Sequence, residues 1–272
     1  MRGYLIVALA LALKASLSAS DDDRRPSVVR PGALRLARQA EIKMFQDAVG
    51  ARKLRILALH GYLQSGPVFR SRTGSLRKAL KRTCEFVFAE GPHEVAQPGD
   101  QDVQSCGGGV EEVKRAWWLA PAEENQLRPR DTSTCRGIEE SLQTLENLLR
   151  EEGPFDGVLG FSQGGAAAAL LCAAIQKEQI AAPQFRFALF FGAFAPRDPT
   201  YAAFIRDACL DIPSLHYFGE SDNLVTEERT AELHSFFGSD TALKVPHPQG
   251  HCIPSLAEVR HRVKEFVGGF AD

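Results

Sequence analysis

The stretch GPFDGVLGFSQGGAAAALLCAA, residues 153–174, decides the fold prediction. A short apolar run, FDGVLGF, leads into a glycine-rich turn, and a longer alanine-rich segment follows the turn. An apolar run of this length bounded by glycine is typical of a strand buried on both faces, whereas the longer segment favours a helix. The sequence therefore predicts a strand, a tight turn that carries Ser162, and a buried helix.

The same alternation of strand and helix patterns continues from Lys53 to the C-terminus. Short, nearly continuous apolar runs predict further strands at KLRILALHG, CEFVFAEGP, FRFALFFGAF, SLHYFGESD and ALKVPHP. Helical patterns predict helices at SLRKALKR, RGIEESLQTLENLLREEG, TYAAFIRDAC, TEERTAELHSFF and SLAEVRHRVKEFVGGF. Strands that alternate with helices predict an α/β fold, a three-layer sandwich in which helices cover both faces of a mostly parallel sheet.

The composition is that of one globular domain, with 44% hydrophobic and 24% charged residues among 272. The formal net charge of −2 offers no basic footprint for nucleic acid and no basic stripe for an anionic membrane. The six cysteines are widely spaced and form no CxxC pair. We therefore predict a small-molecule substrate that is neutral or apolar, with no nucleic-acid partner.

The N-terminal region is expected to lie outside the folded domain. Residues 1–20, MRGYLIVALALALKASLSAS, combine one arginine, a short apolar run and small residues, so a cleaved signal peptide and an uncleaved, disordered apolar extension both stay open. Residues 21–52 are predicted to form an N-terminal extension, and residues 53–272 the domain. Within the domain, residues 93–135 form a long excursion rich in glycine, proline and charge, whose segments EEVKR and RPRD we interpret as solvated.

Gly160, Ser162 and Gly164 form the pattern G-x-S-x-G, which places a serine on a sharp turn between a strand and a helix. A Cβ atom two residues to either side of the serine would collide with neighbouring backbone, which gives the glycines a steric role. The alternative is a glycine-rich turn whose serine has no chemical role. Because ligands collect at the carboxyl ends of strands in an open α/β sheet, the position of Ser162 favours a nucleophile.

A serine nucleophile needs a base to take its proton and a carboxylate to orient that base, in the chain order Ser, Asp or Glu, His. Asp222, at the end of the segment SLHYFGESD, is the predicted carboxylate, with Glu220 and Asp198 as alternative residues. Asp222 could instead cap the helix that follows it. His251 follows the last predicted strand and is the predicted base, with His247 as the alternative. The sequence therefore predicts a catalytic triad.

Acyl transfer also needs two N–H donors for the oxyanion of the tetrahedral intermediate. One is predicted to be the backbone N–H of Gln163, the residue after the nucleophile. The other is expected in the loop LHGYLQSG after the first strand, from Tyr62 or alternatively Leu63. His60 in the same loop is predicted to be structural and to tie the loop down by hydrogen bonds.

Trp117 and Trp118 fall in the long excursion, on the expected side of the pocket. Their large apolar area suits a substrate-binding wall for an acyl chain. The other interpretation is that they anchor the excursion to the body of the domain. Both stay open at this point.

Several segments resemble the FSH-type serine hydrolases of the α/β-hydrolase superfamily. They are LHGYLQSG, TGSLRKALK, EGPHEV, RAWW, CRGIEESL, GPFDGVLGFSQGGA, LHYFGESD and GHCIP, in this order from about Lys53 to the C-terminus. The resemblance does not cover residues 1–52. One departure is Gln249-Gly250-His251, where the family usually reads Gly-Gly-His.

The resemblance implies an α/β-hydrolase fold with a Ser162–Asp222–His251 triad. It also implies carboxylesterase or thioesterase activity, often on long acyl chains, without a metal or organic cofactor. The resemblance further implies a cytoplasmic or nuclear protein, whereas a signal peptide at residues 1–20 would place the protein in the secretory pathway. We predict a carboxylesterase for medium- to long-chain acyl esters. An acyl thioesterase and a catalytically inactive binding module are the alternatives.

Overall fold

The computed structural model describes residues 52–95, 113–124, 128–238 and 240–271. The two interpretations of residues 1–20 and the predicted extension therefore lie outside the described residues, apart from Arg52. So does much of the predicted excursion. Within the described residues, no helix has both the length and the apolarity that crossing a bilayer requires.

Six parallel strands form the central sheet, and a separate two-stranded antiparallel ribbon lies in the excursion. In chain order the strands are β1 Leu54–Leu59, β2 Cys84–Ala89, β3 His93–Glu94, β4 Arg115–Ala116, β5 Gly157–Phe161, β6 Phe187–Phe191, β7 Ser214–Gly219 and β8 Ala242–His247. The order across the central sheet is β2-β1-β5-β6-β7-β8, and β3 pairs with β4. Because every neighbouring pair in the central sheet is parallel, all of its strands end at the same edge.

Seven helices of the described residues connect these strands. They are α1 Gly66–Arg72, α2 Gly74–Leu80, α3 Ile138–Glu152, α4 Gln163–Gln176, α5 Pro199–Arg206, α6 Glu227–His234 and α7 Ala257–Gly268. The parallel sheet with crossover helices was predicted, and the structure confirms it. The ribbon β3–β4 and helix α1 were not predicted.

Two hydrophobic cores lie on the two faces of the sheet. One core packs against α3, α4, α5 and α6, and the other packs against α1, α2 and α7. The side chains of β1 alternate between them, since Leu57 and Leu59 enter the first core whereas Ile56 and Ala58 enter the second. This period of two explains why the strands read as continuous apolar runs, and it confirms the three-layer sandwich.

Helix α4 approaches the sheet unusually closely at its first turn. A Cβ atom on Gly160 would lie 2.4 Å from the Cα of Gly165, and one on Gly165 would lie 2.5 Å from the Cβ of Ala193. A Cβ on Gly164 would lie 2.3 Å from the carbonyl oxygen of His60. The three glycines therefore set the distance between α4 and the carboxyl ends of β1 and β5.

We predict that Gly160→Ala lowers the free energy of unfolding by about 1–3 kcal/mol. The added methyl group would collide with the backbone of Gly164 and Gly165, which cannot move aside as a flexible side chain could. Gly74→Ala is the matched control, since Gly74 lies in α2 with no atom within 4 Å of the new Cβ. It should leave stability unchanged or raise it by up to about 1 kcal/mol. Denaturant unfolding of both variants checks this, and equal stabilities would contradict the packing described here.

Candidate active site

The three side chains of the predicted triad lie at the carboxyl edge of the central sheet. Ser162 follows β5 directly, Asp222 lies in the connection after β7, and His251 lies between β8 and α7. These positions are far apart in the chain. They meet because parallel strands deliver their carboxyl ends to one edge.

A continuous chain of hydrogen bonds joins the three side chains. Nε2 of His251 lies 2.8 Å from Oγ of Ser162, and Nδ1 of His251 lies 2.6 Å from Oδ2 of Asp222. The second carboxylate oxygen of Asp222 accepts hydrogen bonds from the backbone N–H groups of Leu224 and Val225 at 2.8 and 2.9 Å. The carboxylate is therefore held on both oxygens, and its orientation fixes the imidazole.

The surroundings of Asp222 favour its ionised form. Burial alone would raise the pKa of this carboxyl group. The hydrogen bond from His251 and those from the backbone of Val225 and Leu224 outweigh burial, so the pKa of Asp222 is lowered below its usual value. The site thus holds a negative charge beside the imidazole.

None of the alternative residues forms a hydrogen bond with Ser162 or His251 among the described residues. Asp198 caps α5 by accepting from the backbone of Thr200, and its other oxygen accepts from the backbone N–H of Cys135. Glu220 is exposed. The ring of His247 is buried with Nδ1 unpartnered among the described residues. The structure therefore brings Asp222 and His251, rather than their alternatives, to Ser162.

Ser162 has a backbone conformation that suits a sharp turn. Its φ of 53° and ψ of −121° lie outside the regions that residues with a Cβ usually occupy. Its N–H donates to the carbonyl of Phe191 at 2.9 Å, and its carbonyl accepts from Gly165 at 2.9 Å. These bonds hold the strained turn that presents Oγ at the sheet edge.

The hydrogen bonds of the first-strand loop distinguish the two candidates for the second oxyanion donor. The N–H of Leu63 donates to the carbonyl of Arg115 at 3.0 Å, so it is already used. No hydrogen bond engages the N–H of Tyr62 within the part of the chain that is described. Gln163 is the first residue of α4, where the N–H has no partner inside the helix.

The side chain of Gln163 connects the serine turn to the excursion. Its Oε1 accepts from the backbone N–H of Trp117 at 2.9 Å, and its Nε2 donates to the carbonyl of Trp118 at 2.8 Å. The indole N–H of Trp117 donates to the carbonyl of His60, and that of Trp118 donates to the carbonyl of Pro129. Both indoles are fully buried.

Trp117 and Trp118 therefore anchor the excursion, as the second sequence interpretation stated. Neither indole lines the cavity at Ser162. The role of an acyl-binding wall that was predicted for them has no support in this geometry, because their faces are packed inside the first core.

His60 has the structural role that the sequence predicted. Its Nδ1 bonds to the carbonyl of Gly61 at 2.8 Å, and its Nε2 accepts from the N–H of Gly91 at 3.0 Å. The ring is thereby neutral, with the proton on Nδ1. It ties the loop after β1 to the chain after β2.

Gly192 contributes to the site and was not predicted. It has a φ of +51° at the end of β6, and a Cβ there would lie 3.0 Å from both Cε1 and Nδ1 of His251. The signal in the sequence was a glycine directly after a predicted strand, in FFGAF. Its lack of a side chain leaves room for the imidazole.

Two cavities near Ser162 share Arg72 and Phe161 in their linings. The Ser162 cavity has a volume of about 330 Å³ and the apolar cavity about 230 Å³. Residues lining the Ser162 cavity are Tyr62, Leu63, Gln64, Arg72, Arg128, Arg130, Phe161, Ser162, Leu224 and His251. Residues lining the apolar cavity are Phe69, Arg72, Phe161, Cys252 and Ile253.

The segment RPRD was interpreted as solvated charge; the side chain of Arg128 is exposed, as that interpretation expects, whereas Arg130 is half-buried. Arg128 and Arg130 both line the Ser162 cavity. Pro129 between them is buried, and its carbonyl accepts from the indole of Trp118 at 2.9 Å and from the hydroxyl of Thr132 at 2.9 Å. The sequence pattern could not show this, because a folded-back loop and a solvated loop have the same composition.

Comparison with known proteins identifies the family. The model of the family described as serine hydrolase (FSH1) matches residues 49–263. Esterase OVCA2 of Homo sapiens is 40% identical over 225 residues, which cover 81% of this chain and 98% of that protein. This chain belongs to the FSH1 serine hydrolase family. Esterase C25G4.2 of Caenorhabditis elegans is 36% identical over 216 residues, covering 79% of this chain and 93% of that protein.

Solved structures show the same fold. Acyl-protein thioesterase 2 of Zea mays superposes with a TM-score of 0.52 at 20% identity, covering 80% of this chain and 96% of that one. Esterase PE8 superposes with a TM-score of 0.54 at 20% identity, covering 80% and 94%. The α/β-hydrolase fold and the family resemblance are thus confirmed, and this FSH1 family member is a hydrolase enzyme.

We predict that His60 makes the fold sensitive to acid. Burial lowers the pKa of His60 from 6.5 to about 4, and the hydrogen bond to Gly61 offsets only part of that shift. Between these two values the unfolded chain binds a proton that the folded protein does not. Stability is therefore lost as pH falls through this window, by up to about 3 kcal/mol from this residue.

The measurement is the free energy of unfolding as a function of pH for the wild type and His60→Asn. The variant should be less stable near neutral pH but should lose less stability below about pH 6.5. His261→Asn is the control, because His261 is exposed in α7. A slope with pH that is the same in His60→Asn and the wild type would contradict the prediction.

Proposed function

We propose that this FSH1 family member is a carboxylesterase that cleaves medium- to long-chain acyl esters through an acyl-enzyme on Ser162. The observation that supports the proposal most directly is the hydrogen-bond chain from Ser162 through His251 to Asp222, with distances of 2.8 and 2.6 Å. The matched relatives are named esterases, which agrees with this reaction class.

In the acylation step, Nε2 of His251 takes the proton of Ser162 as Oγ attacks the ester carbonyl. The carbonyl oxygen becomes negatively charged and accepts hydrogen bonds from the backbone N–H groups of Gln163 and Tyr62. The carbonyl then re-forms, the bond to the alcohol oxygen breaks, and His251 gives its proton to the departing alcohol. Asp222 stays ionised and stabilises the imidazolium throughout.

In the deacylation step, water enters where the alcohol has left. His251 takes a proton from this water as its oxygen attacks the acyl carbonyl. Collapse of the second tetrahedral intermediate breaks the bond to Oγ of Ser162, which recovers its proton from His251. The free enzyme is restored and the acid is released.

The apolar cavity is suited to the acyl chain. Phe69, Phe161 and Ile253 line it, and Phe161 also lines the Ser162 cavity, so the two cavities share part of their lining. Its volume of about 230 Å³ accommodates roughly eight chain carbons, at the ~30 Å³ that a water-sized group occupies in a liquid. Each buried methylene contributes about 0.8 kcal/mol, which favours chains long enough to fill it.

A fluorophosphonate probe should label the wild type and should not label Ser162→Ala, because the probe reacts only with an activated serine. Ser221→Ala is the matched control and should keep full labelling. His251→Gln should lower the esterase rate by about a hundredfold or more, whereas His247→Gln should not.

Each other outcome has a definite meaning. Persistent labelling of Ser162→Ala would assign the nucleophile to another residue. A folded wild type that does not react with the probe would favour the inactive binding module. Higher kcat/KM for acyl-coenzyme A thioesters than for 4-nitrophenyl esters of the same chain would replace the carboxylesterase with a thioesterase.

We predict that Ile253→Trp shortens the preferred chain, because the larger side chain fills the apolar cavity. The ratio of kcat/KM for 4-nitrophenyl octanoate to that for the acetate should fall by about tenfold or more. Leu243→Trp is the control, since Leu243 is 53% exposed on β8. An unchanged ratio in Ile253→Trp would show that the acyl chain binds elsewhere.

A further inference from the structure

Three arginines line the cavity that holds the nucleophile. Arg72 ends α1, and Arg128 and Arg130 come from the excursion, so two separate segments contribute arginines to the cavity lining, and Arg72 and Arg128 are exposed. No aspartate or glutamate is among the described residues that line this cavity. The cavity is therefore locally positive although the whole chain has a net charge of −2.

These positive charges are incompletely neutralised by the described part of the chain. Arg130 lies 3.2 Å from Asp131, but the same carboxylate also pairs with Arg229 at 3.1 Å. One carboxylate thus serves two guanidinium groups. Within the described ranges, the side chains of Arg72 and Arg128 form no ion pair.

Hydrogen bonds hold the backbone of the arginine-bearing segment in place, while the side chain of Arg128 is exposed. The carbonyl of Pro129 receives two hydrogen bonds, and Nη2 of Arg229 donates to the carbonyl of Arg130 at 2.7 Å. Arg128 also acts electrostatically on Tyr62, in the loop after β1. Burial raises the pKa of the Tyr62 phenol, and the nearby guanidinium of Arg128 opposes that rise. An exposed guanidinium without an ion pair among the described residues, carried into the Ser162 cavity lining on a hydrogen-bonded backbone, is available to bind an anion.

We propose that the Ser162 cavity recognises an anionic group, a carboxylate or a phosphate, on the leaving-group side of the substrate. This inference rests on the proposed esterase function. The acyl chain occupies the apolar cavity, whose lining holds one charged residue, Arg72, at the border with the Ser162 cavity. The leaving alcohol or thiol then lies in the Ser162 cavity, where Arg128 and Arg72 bind its anion. The sequence expectation of a neutral or apolar substrate is thereby revised.

The test compares octanoate esters of three para-substituted phenols that differ in charge. Each kcat/KM is divided by the rate of alkaline hydrolysis of the same ester, because the substituent also changes leaving-group acidity. The neutral ester is methyl 4-octanoyloxybenzoate. The anionic esters are 4-octanoyloxybenzoate and 4-octanoyloxyphenyl phosphate, which separate carboxylate from phosphate. The readout is the ratio of kcat/KM for each anionic ester to that for the neutral ester, because a purely structural effect lowers all three alike and leaves the ratio unchanged.

The wild type should prefer at least one anionic ester by about tenfold, and Arg128→Gln and Arg72→Gln should each remove most of that preference, chiefly through KM. Added salt should weaken the preference, because it screens the charges. Arg206→Gln is the matched control, since Arg206 is exposed and ends α5 away from the cavity; its ratio should equal that of the wild type.

Three results would overturn the inference. The first is a wild-type ratio near one, and the second is a preference that survives in the double variant Arg128→Gln/Arg72→Gln. The third is a preference for an anion at the far end of the acyl chain, measured as kcat/KM for mono-4-nitrophenyl sebacate against that for 4-nitrophenyl decanoate. In each case hydrolysis of the neutral ester and probe labelling of Ser162 would persist if the proposed function holds. Loss of the inference is therefore distinguishable from loss of the esterase function.

Discussion

The close approach of α4 to the ends of β1 and β5 is the constraint on which the site depends. Ser162 has a positive φ that costs a residue with a Cβ about 1–3 kcal/mol, so the turn persists only where its surroundings leave no alternative. Gly164 lies so near the end of β1 that a Cβ would sit 2.4 Å from the carbonyl oxygen of Leu59. Any change that pushed α4 away would also move Oγ of Ser162 relative to the imidazole of His251.

The excursion supports this turn from the other side. The backbone N–H of Gln163, at the start of α4, has no acceptor inside the helix. The side chain of Gln163 forms hydrogen bonds with the backbone of Trp117 and Trp118. Trp117 bonds in turn to the loop after β1, and the N–H of Leu63 in that loop bonds to Arg115 in β4. The two proposed oxyanion donors therefore belong to segments that are cross-linked through one network of buried hydrogen bonds. Such a network fixes donor positions before substrate binds, which is what electrostatic stabilisation of an oxyanion requires.

Much of the fold and the meeting of three side chains could be predicted from the sequence, because both follow from local patterns and one topological rule. Continuous apolar runs predict buried strands, and parallel strands bring Ser162, Asp222 and His251 to one edge. Helix α1 was missed because its segment, GPVFRSR, begins with glycine and proline and is short, although Pro67 is at home in the first turn and Ser65 caps it. The burial of Trp117 and the place of Arg128 at the edge of the Ser162 cavity depend on contacts across the fold, which composition does not encode. Likewise, the choice of Tyr62 over Leu63 as the second oxyanion donor depends on the hydrogen bond from the N–H of Leu63 to the carbonyl of Arg115, which the sequence does not reveal.

The charges around Ser162 are arranged along the direction in which the reaction separates charge. In the proposed reaction, proton transfer makes His251 positive beside the ionised Asp222, while the substrate oxygen becomes negative in the cavity that Arg72 and Arg128 line. An anionic leaving group would otherwise repel both Asp222 and that oxygen, at on the order of 1 kcal/mol or more for each close pair. In this proposal the arginines offset this repulsion in the ground state and also favour the negative oxygen of the transition state. A cavity of this kind therefore does not have to trade affinity for an anionic substrate against rate, since the same positive field serves both.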